Sequence, residues 1–198
     1  MKRLILGSRN KKKLHELVDL LGDLVPVSDL SPFANAPEVE ETGTTFEENA
    51  RLKATTVAKA LGEWVLGEDS GLCVPALKGE PGIYSARYAR EHGNDAANNA
   101  KLLQEMDAFE GDKRSAYYVS TAALSDPTGN VIAVVAGQCW GRIVREARGT
   151  GGFGYDPLFE IPEYHATFGE LSLPVKQALS HRGRAMSKLR PILWQVRT

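Results

Sequence analysis

The feature that most constrains the fold lies in the middle of the chain. Two extended runs, Ser115 to Leu124 and Val131 to Trp140, flank the turn Asp126-Pro127-Thr128-Gly129-Asn130. Pro presets the turn dihedral, Gly accepts a positive φ, and Asp and Asn bond their own local backbone, so the stretch reads as a long β-hairpin. A hairpin of this length needs a larger sheet and helices to cover its apolar residues.

The flanking segments supply both. Leu4-Ile5-Leu6 reads as a short buried strand, Gly7 to Asn10 as a turn, and Leu14, Leu17, Val18 and Leu21 recur at helical spacing before Gly22. A second helix starts at Thr44 or Thr45, since Thr44 with Glu47 and Thr45 with Glu48 both fit a capping box, and Gly62 ends it. Trp64-Val65-Leu66 predicts a strand running through Glu68-Asp69-Ser70-Gly71 into Leu72-Cys73-Val74. Asn94 or Asp95 caps a third helix reaching Phe109. The tail from Ser172 to Val196 is read as mostly helical, with Gly183 and Pro191 interrupting or kinking it. Strands and helices mix without strict βαβ alternation. The expectation is therefore an α/β fold around one mixed sheet with a long antiparallel hairpin, forming one domain over residues 1–198.

Composition narrows the function. Lys and Arg number 24 against 25 Asp and Glu, a net charge of −1, so no long-range field draws a polyanion. Nucleic acid is not expected as a partner. An anionic ligand has to be held by a local cluster of cations, as at Lys11, Lys12 and Lys13. Cys73 and Cys139 lack metal or disulfide spacing and read as reduced core residues. The apolar stretch Leu4 to Gly7 is far too short for a signal peptide, and no run approaches a membrane span, so the cytoplasm is the expected location.

Four segments carry candidate chemistry. Ser8-Arg9-Asn10-Lys11-Lys12-Lys13 sits where a strand feeds a helix, and free N–H groups at a helix start favour a phosphate; the alternative is a capped helix with a solvated basic face. Glu38, Glu40 and Glu41 on one loop and Glu68-Asp69 at a strand end offer hard oxygens for a magnesium–triphosphate site. Glu38 and Glu40 read as solvated turn residues, whereas Asp69, between an apolar strand and Ser70-Gly71, does not. Gly149 to Gly154 satisfies GxGxxG formally, but Tyr155-Asp156-Pro157 follows where a helix is required, so a dinucleotide site is rejected. This glycine loop lets Phe153 lie against a flat base, or is purely structural. Last, Lys176 and Ser180-His181-Arg182-Gly183 lie on a predicted helix, with Lys176 and Ser180 on one face.

In this order and spacing the segments resemble the inosine and xanthosine triphosphate pyrophosphatases, over almost the whole chain. The matching residues are Ser8-Arg9-Asn10 with Lys13 and Glu16, Glu40 to Gly43 with Thr45-Phe46 and Glu48-Asn49-Ala50, Lys53-Ala54, Asp69 to Leu72, Pro81 to Arg87, Gly149 to Pro157 and Ser180 to Gly183. The resemblance implies an elongated two-lobed α/β fold around a cleft, a homodimer, and Mg²⁺-dependent hydrolysis of dITP, ITP or XTP to monophosphate and pyrophosphate. It implies that Ser8, Asn10, Lys13 and Lys53 grip phosphates, with Arg9, Lys11, Lys12 and Ser70 adjoining. Glu41 and Asp69 would serve the metal, and Asp69 would be the base. Phe153, Gly154, Tyr155, Asp156, Lys176, His181 and Arg182 would surround the purine. Arg9 stands where the family has a small residue, Glu68 where it has an aspartate, and Pro191 inside the last helix. The competing functions are a nucleotide sensor without turnover and a pyrophosphatase of modified pyrimidine nucleotides.

Overall fold

The computed structural model describes residues 1–196. Seven strands form one mixed sheet in the order β2-β1-β3-β4-β5-β6-β7. The chain divides into two compact units, and β3, β4 and β5 are long enough to contribute to both.

The first unit contains 1–69, 120–137 and the segment from His181 onward. In it β1 (Leu4–Leu6) lies parallel to β2 (Val27–Ser28) and to β3 (Val65–Cys73), with Ile5 opposite Val65. Strand alternation gives each face its own core. Leu4, Leu6 and Leu66 pack with Leu17 and Leu21 of α1 (Lys11–Leu21) and with Met186, Leu189 and Leu193 of α5 (His181–Val196). Ile5 and Val65 pack with Val57 and Ala58 of α2 (Phe46–Leu61). Both faces are covered, which is why Leu4-Ile5-Leu6 is a continuous apolar run.

Helix α2 is capped as its ends predict, and Thr45 is the cap. Its hydroxyl accepts from Glu48 N while the Glu48 carboxylate accepts from Thr45 N, and Gly62 closes the helix in the left-handed region. The alternative pairing of Thr44 with Glu47 is not made, because Thr44 also donates to Glu48. Gly67 of β3 has no room for a side chain: a Cβ there would collide with the Ala50 carbonyl oxygen of α2. The glycine lets the helix lie close against the strand.

The C-terminal helices differ from the sequence expectation. Helix α4 (Leu173–Leu179) ends, Ser180 is extended, and α5 begins at His181. The break therefore falls at Ser180, and Gly183 lies within the first turn of α5. Pro191 does not interrupt α5; it removes one N–H, but buried Met186, Leu189 and Leu193 hold the helix on both sides of it.

The second unit contains 70–119 and 138–180. Its core joins Leu72, Val74, Tyr118, Ile143, Tyr155, Phe159 and Phe168 with Leu102 of α3 (Asp95–Glu105) and Met106 just after it. Asn94 is the cap of α3, accepting from Ala97 N. The helix stops at Glu105 rather than Phe109, because buried Arg114 takes the carbonyls of Met106 and Phe109 and also those of Ile143 and Val144. The hairpin of β4 (Ser115–Ser125) and β5 (Val131–Ile143) is present, and β6 (Phe159–Ile161) and β7 (Ala166–Thr167) extend the sheet antiparallel beyond it. Cys73 and Cys139 are both buried and reduced.

Candidate active site

Two groups of polar residues stand out, one in each unit. In the first, the turn after β1 is held by its own side chains: Ser8 Oγ accepts from Asn10 N at 3.1 Å, and Asn10 Oδ1 caps α1 by accepting from Lys13 N at 3.1 Å. The cap leaves the head of α1 presenting backbone donors, and Lys13 lies in its first turn.

The acidic pair on β3 is divided between the two faces of the sheet, as alternation requires. Glu68 shares the face of Leu66 and turns to α1 and α5. Its carboxylate is fully buried and meets Lys13 Nζ at 2.7 Å, Ser120 Oγ at 2.7 Å, and Arg182 Nη2 and Nε at 3.0 and 3.3 Å. Arg182 is also paired with Glu16. Burial alone would raise the Glu68 carboxyl, but Arg182 and Lys13 hold it well below the usual range, and the two carboxylates hold the Arg182 guanidinium firmly charged.

Asp69 shares the face of Val65 and Gly67 and turns to α2. Lys53 Nζ lies 3.0 Å from Asp69 Oδ1 and 3.1 Å from Glu41 Oε1, so one ammonium bridges both carboxylates. Asn49, one turn before Lys53, donates to Asp69 Oδ2 at 3.2 Å and accepts from Gly43 N at 2.8 Å, tying the Glu41 loop to the strand end. Burial pushes the Asp69 carboxyl up despite the pull of Lys53 and Lys13, with Glu41 adding to the rise. Burial opposes the charge on Lys53, yet Asp69 and Glu41 outweigh it and leave its pKa raised.

In the second unit the glycine loop is followed by a turn through residues 154–158, with no helix opening at Gly154. Asp156 Oδ2 organises it, accepting from Phe153 N at 2.7 Å and from Lys176 Nζ at 2.7 Å. Lys176 Nζ stands 5.1 Å from the centre of the half-buried Phe153 ring. The arrangement pairs a flat aromatic face with a cation, both anchored by one carboxylate.

The expected site residues thus fall into distinct settings. Ser8, Asn10, Lys13, Lys53, Glu41, Asp69, His181 and Arg182 belong to the first unit; Ser70, Phe153, Gly154, Tyr155, Asp156 and Lys176 belong to the second. Glu41, not Glu40, meets Lys53. Lys11 is held by Asp29 and Ser31, each at 2.7 Å, and Arg9 and Lys12 are exposed. Tyr155 is a core residue whose hydroxyl donates to Ser85 O at 2.8 Å. Lys176 and Ser180 do not share a continuing helix, since Ser180 N caps the end of α4 on Lys176 O. Asn49, Glu16 and Ser120 were absent from the expected roles. Only Asn49 carried a local signal, its i,i+4 spacing to Lys53 on α2.

The comparisons with known proteins agree over the same span. The sequence pattern described as the Ham1 family matches residues 4–192. The chain belongs to the Ham1 family. It is 55% identical over 194 residues to the dITP/XTP pyrophosphatase of Rhodopirellula baltica, covering 98% of this chain and 93% of that one. It is 48% identical over 197 residues to the dITP/XTP pyrophosphatase of Geobacter sulfurreducens, covering 98% of each. Among solved structures, the HAM1 protein from Coxiella burnetii superposes with a TM-score of 0.88 at 39% identity, covering 99% of this chain and 100% of that one. The Staphylococcus aureus Ham1 protein gives 0.85 at 41% identity, covering 97% and 98%. Among the described residues no helix is long and apolar enough to cross a membrane.

Proposed function

We propose that this Ham1 protein hydrolyses deaminated purine nucleoside triphosphates, dITP, ITP and XTP, to the monophosphate and pyrophosphate. The observation that carries the reading is the buried Asp69 carboxylate, which shares the Lys53 ammonium with Glu41. A carboxylate held in fixed geometry is suited to accept a proton, and the adjacent cations are what a polyphosphate needs. The names of the relatives over nearly the full chain support the same substrate class.

In this reading Ser8, Asn10 and the head of α1 orient the phosphates, with Arg9, Lys11, Lys12 and Ser70 adjoining. Lys13 and Lys53 offset the charge that develops on the departing pyrophosphate. Asp69 accepts a proton from water as its oxygen bonds to the α-phosphorus and the bond to the bridging oxygen breaks. Asn49 keeps Asp69 and the Glu41 loop in register.

Among the described residues no cluster of three or more His, Cys, Asp or Glu could hold a metal by itself. Magnesium nonetheless fits the donor set, because it is commonly bound by one or two carboxylates with substrate phosphates and water. Glu41 and Asp69 would hold it. When bound it supplies positive charge to the phosphate oxygens.

Phe153 offers the base a flat face and Gly154 a backbone without a side chain beside it, Asp156 anchors the loop, and Tyr155 braces it from the core. Lys176 supplies a donor suited to a 6-oxo group, whereas the Arg182 guanidinium is engaged by Glu68 and Glu16. Adenine presents an amino group there, which sets donor against donor. On the same resemblance we take the whole chain as one pyrophosphatase domain, homodimeric and cytoplasmic, acting on free nucleotides.

The test is a substrate panel with Mg²⁺: dITP, XTP, ATP, GTP, dUTP and a methylated pyrimidine triphosphate, assayed separately for pyrophosphate and orthophosphate. Pyrophosphate from dITP and XTP well above the others is expected. Orthophosphate alone would place the cut at the wrong bond.

A further inference from the structure

Helix α3 lies outside every segment assigned a role above, yet its first turns grip the glycine loop. Asn94 caps the helix, which puts Asp95 in its first turn and Asn99 four residues on, along one face. Asp95 Oδ2 accepts from Gly154 N at 3.0 Å, and Asn99 Nδ2 donates to Gly154 O at 3.0 Å. Both peptide groups flanking Gly154 are therefore held by one helix. Gly154 itself has a φ of +63°, a conformation open to glycine at little cost.

The consequence reaches Phe153. Its own N–H is taken by Asp156 and the next N–H by Asp95, so its backbone is pinned on both sides. The aromatic ring then keeps its place beside Lys176 Nζ because that ammonium also rests on Asp156. The other end of the Asn99 amide, Oδ1, is buried with no protein partner. Such an atom costs stability, so the residue is not explained by packing alone.

We propose that Asp95 and Asn99 are positioning residues for base recognition, acting through the Gly154 peptides to hold the Phe153 ring and Lys176 where the purine binds. This rests on the function proposed above. Neither residue touches the phosphates in that reading, so loss of the clamp should weaken recognition of the base and leave recognition of the tail intact.

The experiment measures kcat and KM for dITP and dGTP, the inhibition constant of inorganic tripolyphosphate, which carries no base, and the melting temperature. Asn99→Ala and Asn99→Asp are expected to raise the KM for dITP about tenfold, the loss of roughly one well-made hydrogen bond, and to narrow the preference for dITP over dGTP. Inhibition by tripolyphosphate should stay within about twofold of wild type. Asp95→Ala should behave like Asn99→Ala, and Asp95→Asn, which retains an acceptor for Gly154 N, should recover most of the loss. An unchanged KM in folded Asn99→Ala and Asp95→Ala would overturn the inference, as would tripolyphosphate inhibition weakening in step with KM. If Asn99→Ala does not fold, the pair Asp95→Ala and Asp95→Asn decides by the same measurements. Wild-type protein inert toward dITP, ITP and XTP would instead sink the parent reading.

Discussion

The two units position their polar residues by different means. In the first, every charged side chain of the candidate site except Arg9 and Glu41 hangs from a helix or from β3, and the packing of α1, α2 and α5 on the strand decides which charges meet. In the second, Phe153 and Asp156 lie on an irregular loop, and single hydrogen bonds to Asp95 and from Asn99 and Lys176 decide where the loop sits. Rigid elements suit a proton acceptor that has to hold its geometry. A hydrogen-bonded loop suits a contact that has to fit the shape of a base.

If that contrast is correct, substitutions in the first unit should lower kcat or stability, and those in the second should raise KM. The largest effect is expected at Asp69→Asn, with pyrophosphate release falling about 100- to 10,000-fold while dITP binding, followed by calorimetry, is largely kept. Turnover equal to wild type would remove Asp69 from the mechanism. Next comes Glu68→Ala, which leaves buried Arg182 and half-buried Lys13 without their shared carboxylate; urea unfolding should show a loss of about 3–5 kcal/mol. A loss below about 1 kcal/mol would mean the network is not the brace described here.

Gly67→Ala probes packing alone. Its methyl group would collide with α2, costing about 1–3 kcal/mol and separating Lys53 from Asp69, so kcat should fall along with the melting temperature. Retained kcat would show that the helix–strand spacing is not critical. In the second unit, Lys176→Met should raise the KM for dITP roughly tenfold with kcat little changed. A fall in kcat without a change in KM would erase the division of labour between the units.

The smallest effect is a pH dependence in the second unit. The Arg142 hydrogen bond holds the Glu160 carboxyl below its ordinary range, against the effect of burial, with Arg148 assisting. A depressed folded-state pKa gives stability that is present above the unfolded value, about 4.3, and lost as pH falls through the folded value. Thermal melts of wild type should therefore fall more steeply below about pH 5 than those of Glu160→Gln. Parallel curves would show that the pair contributes nothing to acid sensitivity.

Local signals carried much of the fold. The turn at 126–130, the capping box at Thr45 with Glu48, the cap at Asn94 and the apolar run at Leu4 to Leu6 each depend on a few neighbouring residues, and each appears as expected. Errors came where tertiary packing prevails over propensity. Pro191 sits inside α5 because buried leucines and a methionine hold that helix, and the break instead falls at Ser180.

By itself the sequence determined which residues could carry charge to the site, and in which local setting: Lys11 to Lys13 where a strand feeds a helix, and Glu68 and Asp69 at a strand end. Only the tertiary structure decided their partners. Lys53 and Asp69 are 16 positions apart, Ser120 and Glu68 are 52 apart, and Arg182 and Glu68 are 114 apart. Contacts at such separations exist only because strands pair and helices pack on both sides of the sheet, and no local preference of the backbone encodes that choice.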